Sequence, residues 1–343
     1  MALWLVRAGK SGQYEDKFLT EGRIYLTWNH VSNDLSKLNA KEQLTEIVDQ
    51  YYPDNKKGRT RNWVSQLWPF AHGMAIGDWV VLPSKKKSSV HIGKITGEYV
   101  NSPELESPYY HYRSVDWFAT DIPRSNFDQD LLYTFGAFLT ICRIKRNDAE
   151  NRIKKMAQNG WKSSPKDIPL IVSEDDTDEA TQIDLEQLAR DQIAKLIISK
   201  YKGHGLADLV DAILKAQGFT THVSPPGPDK GVDILAAPGV LGFGSPRLCV
   251  QVKSSDSPLD RPTLDQLIGT MQNFKAEQGL LVSWGGFKNS VDKEIPSQFF
   301  NVRLWDAASI VDEFFRHYDL LDEDIKAEIP LKRVWTLAIT DED

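Results

Sequence analysis

Gly231-Val232-Asp233-Ile234, followed by Cys249-Val250-Gln251-Val252-Lys253, decides how this 343-residue chain is read. In an extended strand, side chains two apart point to the same face. Gln251 and Lys253 therefore stand together, while Val250 and Val252 pack behind them. Asp233 sits at the head of a neighbouring apolar run. A carboxylate, a neutral amide oxygen and an ammonium that converge suit a hard divalent ion and an activated water. The spacing predicts a site for cutting phosphodiesters. Asp233, Gln251 and the backbone carbonyl of Val252 would hold Mg²⁺ or Mn²⁺, and Lys253 would serve the attacking water and the charge growing on phosphorus. Taken singly, each residue has a plainer explanation, an Asp at a strand end or a solvated Lys. The joint pattern does not.

This pattern resembles the PD-(D/E)xK nuclease superfamily, and its flanks resemble the Mrr-type restriction endonuclease domain. The matching runs are His204-Gly205-Leu206, Gln217-Gly218-Phe219, Gly227-Pro228-Asp229-Lys230-Gly231-Val232-Asp233-Ile234 and Val250-Gln251-Val252-Lys253, over about residues 200–315. Gln at 251 in place of Glu is the Mrr-type variant. The resemblance implies an αβα domain with a mixed central sheet and a Mg²⁺-dependent endodeoxyribonuclease activity. It also implies a homodimer, because cutting both strands needs two active sites. One departure stands out. The family's Glu early in the first helix falls on Ala207, which leaves Asp208 and His204 as candidate substitutes and Asp211 as a poorer one. Gln266 resembles a position that faces the site. Asp229 reads as a turn residue or a support for Asp233, and Lys230, Ser254, Arg261 and Lys288 are candidates for touching a DNA backbone.

From residue 203 onward, helix and strand patterns alternate: a helix at 206–217, strands at 220–223, 232–236 and 247–253, a helix at 264–274 capped by Thr263, strands at 279–284 and 302–305, and a helix at 308–318. Residues 1–145 hold short strand-like runs at 2–6, 23–28, 78–82, 91–96 and 138–143, with helices at 39–51 and 60–68. The expected organisation is a β-barrel domain with helices over 1–150, an acidic linker and bridging helix over 151–200, the nuclease domain over 201–320 and a C-terminal extension over 321–343.

The net charge of −7 argues against a nucleic-acid partner only until it is located. Glu174, Asp175, Asp176, Asp178, Glu179, Asp184 and Glu186 equal the whole excess, with no Lys or Arg among them. An acidic tether of this kind would repel DNA. The rest is near balance and carries Lys56-Lys57-Gly58-Arg59-Thr60-Arg61 and Lys85-Lys86-Lys87, which are either solvated surface or phosphate contacts. Cys142 and Cys249 lie in separate apolar runs and predict reduced, buried thiols in a cytoplasmic protein. The N-terminus lacks the pattern of a signal peptide, and no apolar run is long enough for a membrane span.

Ten Trp are many for this length, and six precede residue 120. Gly77-Asp78-Trp79-Val80-Val81-Leu82, then His91-Ile92-Gly93-Lys94-Ile95-Thr96-Gly97-Glu98-Tyr99, then Val115-Asp116-Trp117-Phe118-Ala119-Thr120-Asp121-Ile122-Pro123 resemble the PUA-like group that includes EVE and YTH domains. The resemblance implies a pocket for a single modified base. Trp28, Asn29, Trp63, Trp68, Tyr99 and Asp121 are its candidates, while Trp4, Trp79 and Trp117 read as core. Together the two halves predict a modification-dependent restriction endonuclease acting on double-stranded DNA with modified cytosine. The alternatives are a catalytically degenerate nucleic-acid sensor, or a defence nuclease triggered by RNA or a nucleotide signal.

Overall fold

The computed structural model describes residues 1–137, 139–161, 184–225 and 231–335. It divides into two compact units that meet in the chain between Asp191 and Gln192. In the first unit the chain runs β1 (Leu3–Val6), α1 (Glu15–Glu21), β2 (Arg23–Leu26), α2 (Lys41–Tyr51), α3 (Lys57–His72), β3 (Trp79–Pro83), β4 (Ser89–Ile95), β5 (Val100–Asn101), β6 (His111–Pro123), α4 (Gln129–Phe135), β7 (Ile141–Ile144), α5 (Ala149–Gln158) and the start of α6 (Leu185–Lys200).

The seven strands form one sheet in the order β2-β6-β4-β3-β1-β7, with β5 paired to β6, as a half-barrel with helices. The period of two sets its cores. Along β1, Trp4 and Val6 join Ile24, Leu67 and Phe70 on one face, whereas Leu3 and Leu5 join Ile92, Leu131 and Phe135 on the other. Both faces are thus apolar and both are covered. Gly93 is required where β4 crosses β6, because a Cβ there would lie 2.4 Å from Val115 Cγ1. Arg113 of β6 is 1% exposed. Its Nε donates to the Phe70 carbonyl at 2.7 Å and its Nη2 to that of Ala71 at 3.0 Å. A cation there satisfies carbonyls that the end of α3 leaves unpaired and complements the helix dipole.

The second unit runs α7 (Gly205–Ala216), β8 (Phe219–Val223), β9 (Ile234–Pro238), β10 (Leu248–Lys253), α8 (Arg261–Phe274), β11 (Gln278–Ser283), α9 (Asn289–Asp292), β12 (Val302–Trp305), α10 (Ala307–His317) and α11 (Glu323–Glu328). Its five-stranded sheet has the order β12-β11-β10-β9-β8. The β10–β11 and β11–β12 pairs are parallel, while β8–β9 and β9–β10 are antiparallel. This is the mixed αβα sandwich expected from the sequence. Helix α7 buries Leu206, Leu209, Val210, Ile213 and Leu214 against one face together with α10. Each such side chain contributes about 1.5–3 kcal/mol. Helix α8 covers the other face through Leu264, Leu267 and Met271, which pack with Cys249 and Leu281.

Most elements lie within a few residues of their expected places. Strands β5 and β6 and helices α1, α4, α5, α9 and α11 have no counterpart among the expected elements, and the start of α8 is shifted. Asp260, not Thr263, precedes the helix, and Pro262 occupies its first turn, where a missing N–H costs nothing. Both cysteines are free thiols, and burial pushes each up to about 11, leaving them neutral. No helix among the described residues is long and apolar enough to cross a membrane.

Candidate active site

The β9–β10 ladder ends at Ile234 opposite Val250. Beyond that rung the chain leaves the sheet, and Asp233 takes over. Its amide donates to the Val250 carbonyl at 2.9 Å, and its own carbonyl accepts from Ser224 at 2.8 Å. Its Oδ2 accepts the Val252 amide at 2.7 Å. The carboxylate is therefore fixed beside the backbone that joins Gln251 to Lys253. Gly231 allows the approach, since its φ of 85° is left-handed and a Cβ there would meet Gln266 Nε2 at 3.2 Å.

Val250 and Val252 pack into the α7 core, so Cys249, Gln251 and Lys253 face the α8 side. Gln251 is 1% exposed, and its Oε1 is buried with no hydrogen-bond partner. Lys253, at the strand end, is partly exposed. A buried amide oxygen without a donor, one residue from the amide that fixes the Asp233 carboxylate, leaves an unmet demand for a cation or a water.

The sequence family described as "Restriction endonuclease" matches residues 198–314. These residues are an Mrr-type restriction endonuclease domain. A second family, described as a domain of unknown function, matches residues 4–134. No curated protein matches the chain. Two solved structures are similar. The DNA modification-dependent restriction endonuclease AspBHI has 14% identity and a TM-score of 0.33, over 73% of this chain and 67% of that one. The MspJI restriction endonuclease in complex with a 27-mer oligonucleotide has 13% identity and a TM-score of 0.33, over 90% and 73%. At that level of similarity neither says anything more specific about this chain.

The α7 end of the restriction endonuclease domain explains the departure at Ala207. Ala207 is 2% exposed, inside the α7 core. Asp208 is exposed, and its charge is felt at Tyr201. Burial first, then the Glu328 carboxylate and Asp208, push the Tyr201 hydroxyl up. His204 lies exposed just before the helix. Among the described residues, no hydrogen bond or ion pair joins either of them to Asp233, Gln251 or Lys253. Asp211 is buried and pairs with Lys215 at 2.8 Å, but its Oδ1 has no partner. Ser254, a candidate backbone contact, instead accepts the Gly203 amide at 3.0 Å and ties the α7 entry to the end of β10. Arg261 pairs with Glu294 at 2.8 Å and Lys288 with Asp260 at 3.8 Å. Asp229 and Lys230 lie outside the described residues.

Among the described residues, no group of three or more His, Cys, Asp or Glu side chains could hold a metal ion. Restriction endonuclease domains of this kind generally use divalent metal ions. One fixed carboxylate and one unpartnered amide oxygen fit a hard cation that keeps several waters and takes further oxygens from a phosphate. They do not fit a closed protein cage.

In the first unit, four of the six base-pocket candidates, Trp28, Trp63, Trp68 and Tyr99, pack against one core cluster. Trp28 and Trp63 meet edge to face at 6.3 Å, and Tyr52 stands 4.8 Å from Trp63 with His30 beyond it at 5.6 Å. Asn29 is exposed, and its carbonyl accepts the Ser107 hydroxyl at 2.7 Å. Trp68 stacks on His72 at 4.0 Å. Tyr99 stacks on His111, and its hydroxyl is shared between His111 Nδ1 at 2.7 Å and the Leu35 amide at 3.0 Å. Asp121 is elsewhere, with a φ of 54°, its amide on His91 Nδ1 and its carboxylate 3.5 Å from Lys87. Tyr52 and His30, absent from the sequence reading, join Trp28 and Trp63 only through tertiary packing.

The basic hairpin is already paired. Lys85 meets Asp184 at 2.7 Å, Lys86 meets Asp16 at 2.7 Å and Lys87 meets Asp121. Of the seven linker acids, only Asp184 and Glu186 lie within the described residues.

Proposed function

We propose that this chain is a modification-dependent restriction endonuclease. Its first unit recognises modified cytosine in double-stranded DNA, and its restriction endonuclease domain then hydrolyses the backbone in defence against foreign DNA. The observation that carries the reading is the Asp233 carboxylate held on the Val252 amide, between Gln251, whose Oε1 is buried without a partner, and Lys253. Asp233, Gln251 and the Val252 carbonyl would hold Mg²⁺ or Mn²⁺, which when bound supplies a Lewis acid and lowers the pKa of its water. Lys253 orients the attacking water and stabilises charge developing on the phosphate. Asp208 and His204 remain available to DNA or water at the helix entry. A second copy of the chain supplies the cut on the other strand.

Gln251 gives the site one negative charge fewer than a Glu would. Ligand charge tunes affinity for hard cations. Gln251→Glu is therefore expected to lower the Mg²⁺ concentration for half-maximal cleavage about tenfold. A magnesium titration of the single-turnover rate checks this.

For the reader, the corner of Trp28, Trp63 and Tyr52 is the best-supported part of the candidate pocket. Flipping a base costs a few kcal/mol. Stacking on an aromatic ring returns about 1–3 kcal/mol per base. Contacts to a methyl or hydroxymethyl group then decide the balance. Trp63→Ala should weaken binding to modified duplex by about 5- to 150-fold, with little effect on unmodified duplex.

The reading is tested by measuring binding of the cleavage-silent Lys253→Ala chain to duplexes containing cytosine, 5-methylcytosine or 5-hydroxymethylcytosine, and to single-stranded RNA and free nucleotides. Preference for one modified duplex supports it. Preference for RNA or a nucleotide would replace it with a signal-triggered nuclease.

A further inference from the structure

Ser283, the last residue of β11, is 0% exposed, and its hydroxyl has no hydrogen-bond partner. The β10–β11 register pairs it directly with Lys253. Side chains paired across neighbouring strands share a face, with the strands about 4.8 Å apart. The rungs of that face run from Cys249 beside Gly279, through Gln251 beside Leu281, to Lys253 beside Ser283. The strand around Ser283 is otherwise Gly279-Leu280-Leu281-Val282, all buried. A hydroxyl buried without a partner works against folding. It lies on the one rung where a cationic side chain ends, and among the described residues the Lys253 ammonium has no ion pair of its own.

We infer that Ser283 is a positioning residue for Lys253. The Ser283 oxygen accepts one hydrogen bond from the Lys253 ammonium when DNA is bound. That leaves the other two N–H donors of the ammonium for the attacking water and the phosphate. It also keeps the flexible four-carbon stem from folding onto the Asp233 carboxylate, which would remove that oxygen from metal binding. The inference rests on the nuclease reading of the domain and adds to it a residue that never touches substrate.

The test compares wild type, Ser283→Ala and Ser283→Thr as full-length chains, measuring single-turnover cleavage, DNA affinity and thermal midpoint. Losing a hydrogen bond to a charged group is expected to slow cleavage about 10- to 100-fold in Ser283→Ala. DNA affinity should stay within about twofold, and the midpoint should hold or rise, because an unpartnered hydroxyl leaves the core. Ser283→Thr keeps the oxygen and should recover most of the rate. Full activity in Ser283→Ala overturns the inference alone. So does an equal loss in both variants with a lowered midpoint, which assigns Ser283 to packing. A wild type that cuts no DNA overturns the inference together with the nuclease reading.

Discussion

Replacing Lys253 with Ala slows DNA cleavage by about 10³-fold or more, while the chain stays folded and keeps its DNA affinity within a few-fold. Removing one group aimed at developing charge in a preorganised site costs about 10²–10³ in rate. Lys253 is expected to act on both the water and the phosphate, so the upper end applies. The stability cost is small, because the ammonium is partly exposed and makes no ion pair among the described residues. Asp233 is the less clean probe. Its carboxylate also accepts the Val252 amide at 2.7 Å, so Asp233→Ala strands a backbone donor as well as removing the proposed metal ligand. Single-turnover cleavage alongside a binding isotherm checks the prediction.

Arg124→Ala is expected to destabilise the first unit by about 3–5 kcal/mol. Arg124 is 4% exposed and Asp191 7%. Their side chains pair through two parallel bonds, with Nε to Oδ1 at 2.7 Å, and Gln187 adds a third donor to Asp191 at 3.2 Å. Truncating the Arg leaves a buried carboxylate uncompensated, which costs far more than the pair itself contributes. For that reason the double replacement Arg124→Met with Asp191→Leu should recover most of the loss. Guanidinium titrations of the three chains decide it. Equal stability of wild type and Arg124→Ala would show that the pair is solvated in solution.

The nuclease half was legible because its signal is local. Period-two alternation placed Gln251 and Lys253 on one face, and the Gly231-Val232-Asp233-Ile234 run marked the neighbouring strand. Ser283 was not legible. In Gly279–Trp284 it reads as one small residue in an apolar strand, and only the register opposite Lys253 gives it meaning. The placing of the base-pocket candidates depends on contacts between distant segments. Trp28 and Trp63, two of the six candidates, meet across 35 residues. The six also include Asp121, which contacts His91 and Lys87, and Tyr99, whose hydroxyl bonds His111 and the Leu35 amide. Aromatic content says that a pocket is affordable, not which rings form it. The lysine hairpin shows the same limit, since its partners Asp16, Asp121 and Asp184 come from three separate segments.

The most direct measurement is cleavage of matched plasmids carrying cytosine, 5-methylcytosine or 5-hydroxymethylcytosine, incubated with the purified chain and Mg²⁺, with Lys253→Ala in parallel. The account predicts cutting of a modified plasmid only, lost in the variant. Cutting of all three plasmids alike would contradict the modified-base reader. Cutting that survives in Lys253→Ala would contradict the active site itself.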